Sequence, residues 1–493
     1  MNQNKDTENR NGNRMNQTKE VEGWNGKSMK PNKEAEGRNG NRMNQGKSTQ
    51  ERMFTNRQLW ALLLPIMVEQ LLNSFMGMAD TMMVSNVGSA AISAVSLVDS
   101  INVLVIQVFA ALATGAAIIC SQYLGRGDKK ASNEAARQVT LSVLVISAAL
   151  TALCLCFRKP LLELIFGQVE ADVMKASMEY FLWTSLSFPF LALFNAGAAF
   201  YRAGGNSRFP MAVSVTSNLL NIIGNGILIF GLGMGVTGAA LSTLFSRIFC
   251  AVVVFARLRK PGQTIVVNSY HTIRPDFSLI GKILAIGVPS GIENGMFQFG
   301  KLAIQSSVST LGTTAIAAQA MTIILENLNG IGALGIGIGL MTVVGQCMGA
   351  GKVKEARYYI MKLTGYAEIV ILISCLVVLG LTGPVTRLGG MEPASAKLCM
   401  EMMVAITCVK PLVWVLGFIP GYGMRAAGDV RFSMILSSIT MWGCRVALCI
   451  YLIRVQGFGP MAVWIGMFAD WTLRGLCFTI RFFSGRWSRK KVI

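Results

Sequence analysis

The sequence predicts an all-α polytopic membrane protein with twelve transmembrane helices in two six-helix bundles, related by a pseudo-two-fold axis along the membrane normal. Three observations support this prediction. Of the 493 residues, 52% are hydrophobic and only 14% are charged, whereas soluble proteins carry about 25% charged residues. Apolar stretches of about 20 residues, long enough to cross a bilayer, recur along the chain. The second half of the sequence also repeats the first.

Twelve apolar stretches of spanning length follow Arg57. Their predicted extents are about 57–84, 91–122, 134–157, 173–201, 208–230, 235–257, 278–310, 315–347, 356–380, 396–424, 432–453 and 460–483.

The spans divide the chain into five predicted regions. Residues 1–52 are rich in Asn, Gly, Lys, Arg and Glu, so they bury too little apolar surface to order themselves. Within this tail the segment RNGNRMNQ occurs twice, at residues 10–17 and 38–45. The predicted regions are a disordered cytoplasmic tail at 1–52, an N-terminal six-helix bundle at 53–257, a cytoplasmic linker at 258–277, a C-terminal six-helix bundle at 278–483 and a basic cytoplasmic tail at 484–493.

The net charge of +20 indicates orientation in the lipid bilayer rather than binding to nucleic acid. The basic residues are separated by long apolar stretches, so they form no continuous surface for a phosphate backbone. They instead cluster in alternate connections, around Arg126 to Lys130 and Lys352 to Arg357 for example. The positive-inside rule places these connections and both termini in the cytoplasm. We therefore expect a multi-pass protein of the plasma membrane.

An internal repeat relates the two halves at a shift of 224 residues. The aligned pairs include Pro65 with Pro289, Glu69 with Glu293, Gly88 with Gly312, Gln122 with Gln346, Gly125 with Gly349 and Gly127 with Gly351. So many identities at a constant shift indicate a duplicated unit. Two parallel six-span units that face each other are the arrangement of transporters that alternate between inward-open and outward-open states.

Charged side chains inside a membrane are costly, at least about 2.5 to 3.5 kcal/mol each, so each one is a candidate for function. Asp80, Asn225 and Thr243 are predicted to lie at a similar depth near the outer ends of the first, fifth and sixth spans. A carboxylate with amide and hydroxyl oxygens suits Na⁺ or a proton. The asparagines alone fit hydrogen bonding between helices equally well.

The other charged residues of the spans are expected either to line a cleft or to form ion pairs. Asp470 and Arg474, four residues apart, fit an ion pair on one helix face. Glu293 and Lys301, eight residues apart, are expected either to neutralise each other or to flank the cleft. No partner is evident from the sequence for the other four, which are Asp99, Glu326, Lys410 and Arg445.

Catalysis and cofactor binding find little support in the sequence. The chain has one histidine, His271, and eleven scattered cysteines, which fit no zinc cluster. A membrane enzyme such as a prenyl transferase needs paired carboxylates to hold Mg²⁺ and pyrophosphate, and no D-x-x-D pair occurs in a span. We therefore expect a protein that is not an enzyme and has no cofactor.

Several segments resemble the multidrug and toxic compound extrusion (MATE) family from about residue 57 to the end of the chain. They are LPIMVEQLLNSFMGMADTMMVSNVG (64–88), GAAIICSQYLGRGD (115–128), YRAGGNSRFP (201–210), NLLNIIGNGILIFGLGMGVTGAALST (218–243), GVPSGIENGMFQFGKLAIQS (287–306), VVGQCMGAGKVKEAR (343–357) and MRAAGDVRF (424–432).

The resemblance implies a secondary active multidrug exporter, which couples inward flow of Na⁺ or H⁺ to efflux of organic, often cationic, drugs. It implies that the cation-binding residues of the N-terminal bundle are Asp80, Asn221, Asn225 and Thr243, and that Pro65 is a helix hinge. Some relatives carry an Asp where this chain has Asn225, so one carboxylate remains in the site. An acid in the tenth span of some bacterial members has no counterpart between Lys410 and Met424.

Glu293 and Glu326 are the only substitutes for an acid in a second cation site. The candidate cleft or coupling residues are Glu69, Asp99, Glu293, Lys301 and Glu326. The alternative function is a flippase for a lipid-linked saccharide, for which Lys301, Lys410 and Arg445 would provide a cationic cleft. In either case we expect a monomer whose partners are small molecules and the lipid bilayer.

Overall fold

The structure of the protein is a computed structural model that describes residues 52–167, 170–268, 274–490 and 492–493. The predicted tail at 1–52, with its duplicated segment, lies outside the described residues except for Arg52, and so does His271. The described residues form α-helices joined by short connections, without a β-strand among them. The predicted all-α class is confirmed.

The described part of the N-terminal half contains eight α-helices, seven of which make up six spans. They are α1 (Asn56–Ser85), α2 (Ser89–Gly125), α3 (Lys129–Cys156), α4 (Arg158–Phe166), α5 (Ala171–Leu186), α6 (Phe188–Ala203), α7 (Arg208–Asn225) and α8 (Gly235–Leu258). Helix α7 continues through a π-helical segment, Gly226–Gly231.

The fourth span is a bent pair of helices rather than the continuous helix predicted over 173–201. Helices α5 and α6 meet at Ser187 with a bend of 42°. Pro189 lies in the first turn of α6, and because proline has no backbone N–H it cannot bond to the preceding turn. The short helix α4, in the connection after the third span, was also not predicted.

In the C-terminal half, the described residues form seven α-helices, which make up the other six predicted spans. They are α9 (Phe277–Val308), α10 (Thr313–Gly349), α11 (Val353–Leu388), α12 (Pro393–Ala426), α13 (Val430–Ile439), α14 (Leu448–Arg454) and α15 (Met461–Phe483). A π-helical segment, Thr440–Ala447, joins α13 and α14 into one span. In the described part of the chain, nine helical stretches and the bent pair are long and apolar enough to cross a membrane. Helices α9 and α15 coincide with the two remaining predicted spans, 278–310 and 460–483.

The repeat is visible in the helix boundaries. Helices α2 and α10 both have 37 residues, and each begins directly after a glycine of positive φ, Gly88 at 133° and Gly312 at 90°. Only glycine adopts such a conformation readily, so the same turn is encoded in both halves.

The two halves meet where α2, α6, α10 and α12 end. We call this face the basic end because arginine and lysine residues surround its connections at 126–130, 202–208, 350–354 and 425–431. Between the halves α2 packs against α9 and α10, and α1 packs against α10. The described contacts between the last turns of α2 and α10 therefore hold the basic end closed.

Two equivalent hydrogen bonds join the halves at the basic end. Gln122 of α2 donates through Nε2 to the carbonyl oxygen of Ala426, and Gln346 of α10 donates through Nε2 to that of Ala203, both over 2.7 Å. We call these four residues the glutamine clasp. Each glutamine also lies against a glycine of the other half: a Cβ atom at Gly125 would overlap the backbone of Gln346, and one at Gly349 that of Gln122.

Candidate functional site

The predicted cation-binding residues lie together in the N-terminal half. Asn225 donates through Nδ2 to Oδ1 of Asp80 over 2.8 Å. Asn221, with its amide nitrogen turned to the carboxylate, donates to the same oxygen over 2.7 Å and accepts from the backbone N–H of Thr243 over 3.2 Å. We call Asp80, Asn221, Asn225 and Thr243 the Asp80 cluster. The matching depth predicted for Asp80, Asn225 and Thr243 agrees with these contacts.

One buried oxygen atom of the Asp80 cluster remains without a hydrogen bond among the described residues. The side chain of Asn225 is 1% exposed, and its buried Oδ1 has no hydrogen-bond partner among the described residues. A buried acceptor without a donor is costly, and a carboxylate beside such an oxygen suits a hard cation or a proton. The donor set therefore fits the coupling ions that the sequence indicates.

A second carboxylate and an arginine lie near the Asp80 cluster. Asp99 accepts from Asn102 Nδ2 over 3.1 Å and from the Tyr180 hydroxyl over 3.4 Å. Arg247 of α8 donates to Ser187 Oγ over 2.6 Å and is close enough to interact electrostatically with both carboxylates. The sequence interpretation missed Arg247, although a lone arginine in an apolar span is itself a signal.

Two other asparagines hold helices together. Asn73 Oδ1 on α1 accepts from Ser214 Oγ and from Asn218 Nδ2, both over 3.0 Å. Asn73 and Asn218 therefore have the role that we considered as the alternative for the asparagines, which is hydrogen bonding between helices.

The repeat-related glutamates Glu69 and Glu293 form equivalent ion pairs. Glu69 pairs with Arg202 over 2.8 Å, and Glu293 pairs with Arg425 over 3.2 Å. Lys301 is not the partner of Glu293, so mutual neutralisation of these two residues was a wrong expectation. Eight residues along one helix span about 12 Å, whereas Arg425 approaches from α12. Both Glu293 and Lys301 line a cavity, which agrees with the alternative expectation that they flank the cleft.

Most of the charged residues for which the sequence indicated no partner form ion pairs in the structure. Glu326 forms an ion pair with Lys410 over 2.6 Å, and Lys410 also donates to Asn329. Asp470 pairs with Arg445 over 2.7 Å and with Arg474 over 2.9 Å, so the predicted Asp470–Arg474 pair is part of a triad. Neither Glu293 nor Glu326 is a free carboxylate for a second cation.

The buried triad gives a direct stability prediction. Asp470 is 0% exposed between two arginines, so Asp470→Asn leaves two buried cations uncompensated. Breaking a buried pair costs about 3–5 kcal/mol, and we expect a markedly lower midpoint of thermal unfolding for the purified protein. The control is Glu163→Gln, which removes an exposed pair with Lys159 worth about 0–1 kcal/mol. Equal midpoints for the two variants would contradict the structural role of the triad.

A cavity of about 550 Å³ lies in the C-terminal half, bounded by α9, α10, α12, α15 and the π-helical segment of the eleventh span. Its wall combines aromatic and charged side chains, and Gln107 of α2 contributes from the other half. The aromatic and charged residues of the wall include Glu293, Phe297, Lys301, Glu326, Trp414, Phe418, Arg425, Arg445 and Arg474. A cavity of this size and lining suits a small organic molecule.

The family assignment follows from the sequence of both halves. The MatE family model matches residues 65–227 and 289–451. The chain belongs to the MATE family. MATE proteins are ion-coupled secondary transporters and not enzymes, so the chain is a multi-pass membrane transporter of small molecules. Among the described residues no group of three or more His, Cys, Asp and Glu residues is placed to hold a metal ion.

Individual MATE relatives agree with this assignment over nearly the whole chain. A probable multidrug resistance protein NorM of Thermotoga maritima is 28% identical over 448 residues, covering 89% of this chain and 94% of the relative. The multidrug resistance protein PmpM of Pseudomonas aeruginosa is 24% identical over 448 residues, covering 86% and 90%. A MATE transporter solved in an outward-facing conformation superposes with a TM-score of 0.81 at 19% identity, covering 87% of this chain and 96% of the other. The twelve-span fold is therefore that of MATE transporters.

Proposed function

We propose that the protein is a secondary active multidrug exporter, an antiporter that couples inward flow of Na⁺ or H⁺ to efflux of organic, often cationic, drugs. The observation that carries this proposal is the Asp80 cluster, a carboxylate with a free amide oxygen buried within a MATE fold. Two of the relatives named above are multidrug resistance proteins. Neither is a lipid flippase, so the alternative of a lipid-linked saccharide is not favoured.

The orientation of the exporter follows from its charge. The positive-inside rule assigns the basic end and both termini to the cytoplasm, in the plasma membrane. The glutamine clasp then closes the cytoplasmic side. A compound in the cavity would leave outward from this state, and alternating access requires a second state in which the clasp is open.

Coupling is assigned to the Asp80 cluster. An ion shifts the balance between two conformations only if it binds one of them better. A cation that enters the cluster would compete with the amide donors of Asn221 and Asn225 for Asp80, and so would change how α1 packs against α7. Helix α1 contains Pro65, where a missing backbone hydrogen bond makes bending easier; we propose Pro65 as the hinge. Glu69 and Asp99 lie in the same half as coupling candidates.

The test uses the purified full-length protein in proteoliposomes loaded with ethidium. A Na⁺ gradient and a pH gradient are imposed separately, each with the other ion balanced. We expect one of the two gradients to drive ethidium against its concentration gradient, which also identifies the coupling ion. If neither gradient drives any of a panel of dyes and antibiotics, the antiporter proposal fails. Light scattering of the solubilised protein tests the expected monomer.

A further inference from the structure

The charges around the Asp80 cluster and the charges around the cavity of the C-terminal half differ in sign. Around the Asp80 cluster, Asp80 and Asp99 interact with one cation among the described residues, Arg247. The cavity of the C-terminal half and the ion pairs in its wall contain three carboxylates and five cations. These are Glu293, Glu326 and Asp470 against Lys301, Lys410, Arg425, Arg445 and Arg474. The cavity therefore has two positive charges in excess.

The excess is concentrated at one place in the cavity wall. Lys301 is exposed in the cavity, and its Nζ lies 5.0 Å from the ring centroid of Phe297. It forms no ion pair with a described residue, although Glu326 is close enough to interact with it electrostatically. The guanidinium of Arg445 lies 5.0 Å from the same ring. Arg445 is 2% exposed and shares Asp470 with Arg474. Its Nε has no hydrogen-bond partner among the described residues.

A buried N–H donor of a charged group without an acceptor is costly, and an ammonium group without an ion pair in a membrane-spanning helix favours an anion beside it. Both deficits are removed by one ligand group, an anion placed beside Phe297 between Lys301 and Arg445. Carboxylate, sulfonate and phosphate groups all meet this requirement, because each offers acceptor oxygens with negative charge.

The rest of the cavity wall indicates the chemistry of the uncharged part of such a ligand. Trp414 and Phe418 stack at a centroid distance of 4.8 Å and line the cavity together with Tyr422. Flat aromatic surfaces favour a planar aromatic ring system. The volume of about 550 Å³ accommodates a drug-sized compound.

We propose that the cavity of the C-terminal half binds amphipathic aromatic anions, with the anionic group between Lys301 and Arg445 and the rings against Trp414 and Phe418. This inference rests on the proposed function because it treats the cavity as the site of an exported compound. It deepens that function by naming a substrate class opposite in charge to organic cations. The two halves then divide the work: the N-terminal half binds the coupling cation, and the C-terminal half binds the organic anion.

The test compares two dyes that share a xanthene ring system, fluorescein as the anion and rhodamine 6G as the cation. Binding to the purified full-length protein in detergent is measured by fluorescence polarisation at fixed salt. We expect fluorescein to bind more tightly than rhodamine 6G. Lys301→Met should weaken fluorescein binding by at least about tenfold without weakening rhodamine binding, and Lys301→Arg should retain fluorescein binding. Lys397→Met removes an exposed lysine at the start of α12 and should change neither.

Three results would overturn the inference. One is tighter binding of rhodamine 6G, and another is unchanged fluorescein affinity in Lys301→Met. The third is displacement of fluorescein by a polyprenyl phosphate but not by excess naphthoate, because the cavity would then hold a lipid. Binding at equilibrium needs no gradient. Failure of gradient-driven transport with intact fluorescein binding would therefore count against the antiporter proposal alone, and the reverse result against this inference alone.

Discussion

Ion-driven efflux stops when Asp80 is replaced by asparagine; this is the largest effect that we expect from a single substitution. Asp80 supplies the only carboxylate of the Asp80 cluster. An amide at this position neither binds a proton at physiological pH nor supplies the charge that holds Na⁺ among amide oxygens. Without differential binding of the ion, its gradient has no means to shift the conformational equilibrium.

The measurement is the rate of gradient-driven ethidium transport in proteoliposomes, together with the elution volume and unfolding midpoint of the variant. We expect transport to fall by at least about a hundredfold while the protein remains folded, because removing a partly buried charge relieves a desolvation cost. Asp172→Asn is the matched control, since Asp172 is exposed in the first turn of α5. Wild-type transport by the Asp80 variant would move the coupling role elsewhere, with Asp99 the next carboxylate to examine.

The second large effect is expected from Gly349→Ala. A methyl group at Gly349 overlaps the backbone of Gln122 when the basic end is closed. Overpacking of this kind costs about 1–3 kcal/mol, and each 1.4 kcal/mol changes a population tenfold. The closed state would become about 5 to 150 times rarer. Gly125→Ala acts on the equivalent contact with Gln346 and should behave in the same way.

The opening is measured with a Ser121→Cys reporter in a background without the native cysteines. Ser121 is fully buried next to Gly345 of the other half, so a maleimide should label the reporter slowly in the parent and rapidly when Gly349→Ala is added. Drug efflux should fall at the same time. Gly365→Ala is the control, because no atom lies within 4 Å of a Cβ at that helical glycine. A protected reporter with normal efflux in Gly349→Ala would show that the clasp does not limit opening.

The spans were predictable from the sequence because a bilayer imposes a length and a polarity that can be counted residue by residue. The Asp80 cluster was predictable in part, since helix rise converts positions into depths and three depths agreed. The bend at Ser187 depends on Pro189 two residues later, a local signal that hydropathy does not contain.

The partners in the ion pairs were harder to predict from the sequence, for a geometric reason. Glu326 and Lys410 are 84 positions apart in the sequence, and Arg445 reaches Asp470 from a different span. Such pairs depend on the rotation of each helix about its axis, which hydropathy determines only weakly in a chain that is apolar on most faces. The expectation that Lys301 neutralises Glu293 rested on their spacing along one helix. The actual partner of Glu293 is Arg425, which lies on another helix.

The glutamine clasp has a further consequence for the symmetry of the chain. Gln122 bonds to Ala426 and Gln346 bonds to Ala203, so each half presents the same donor to the same acceptor on the other. This reciprocal pattern defines an isologous interface, the kind formed by two identical subunits about a two-fold axis. The contact therefore has the symmetry of a homodimer of six-span subunits, although both subunits are parts of one polypeptide.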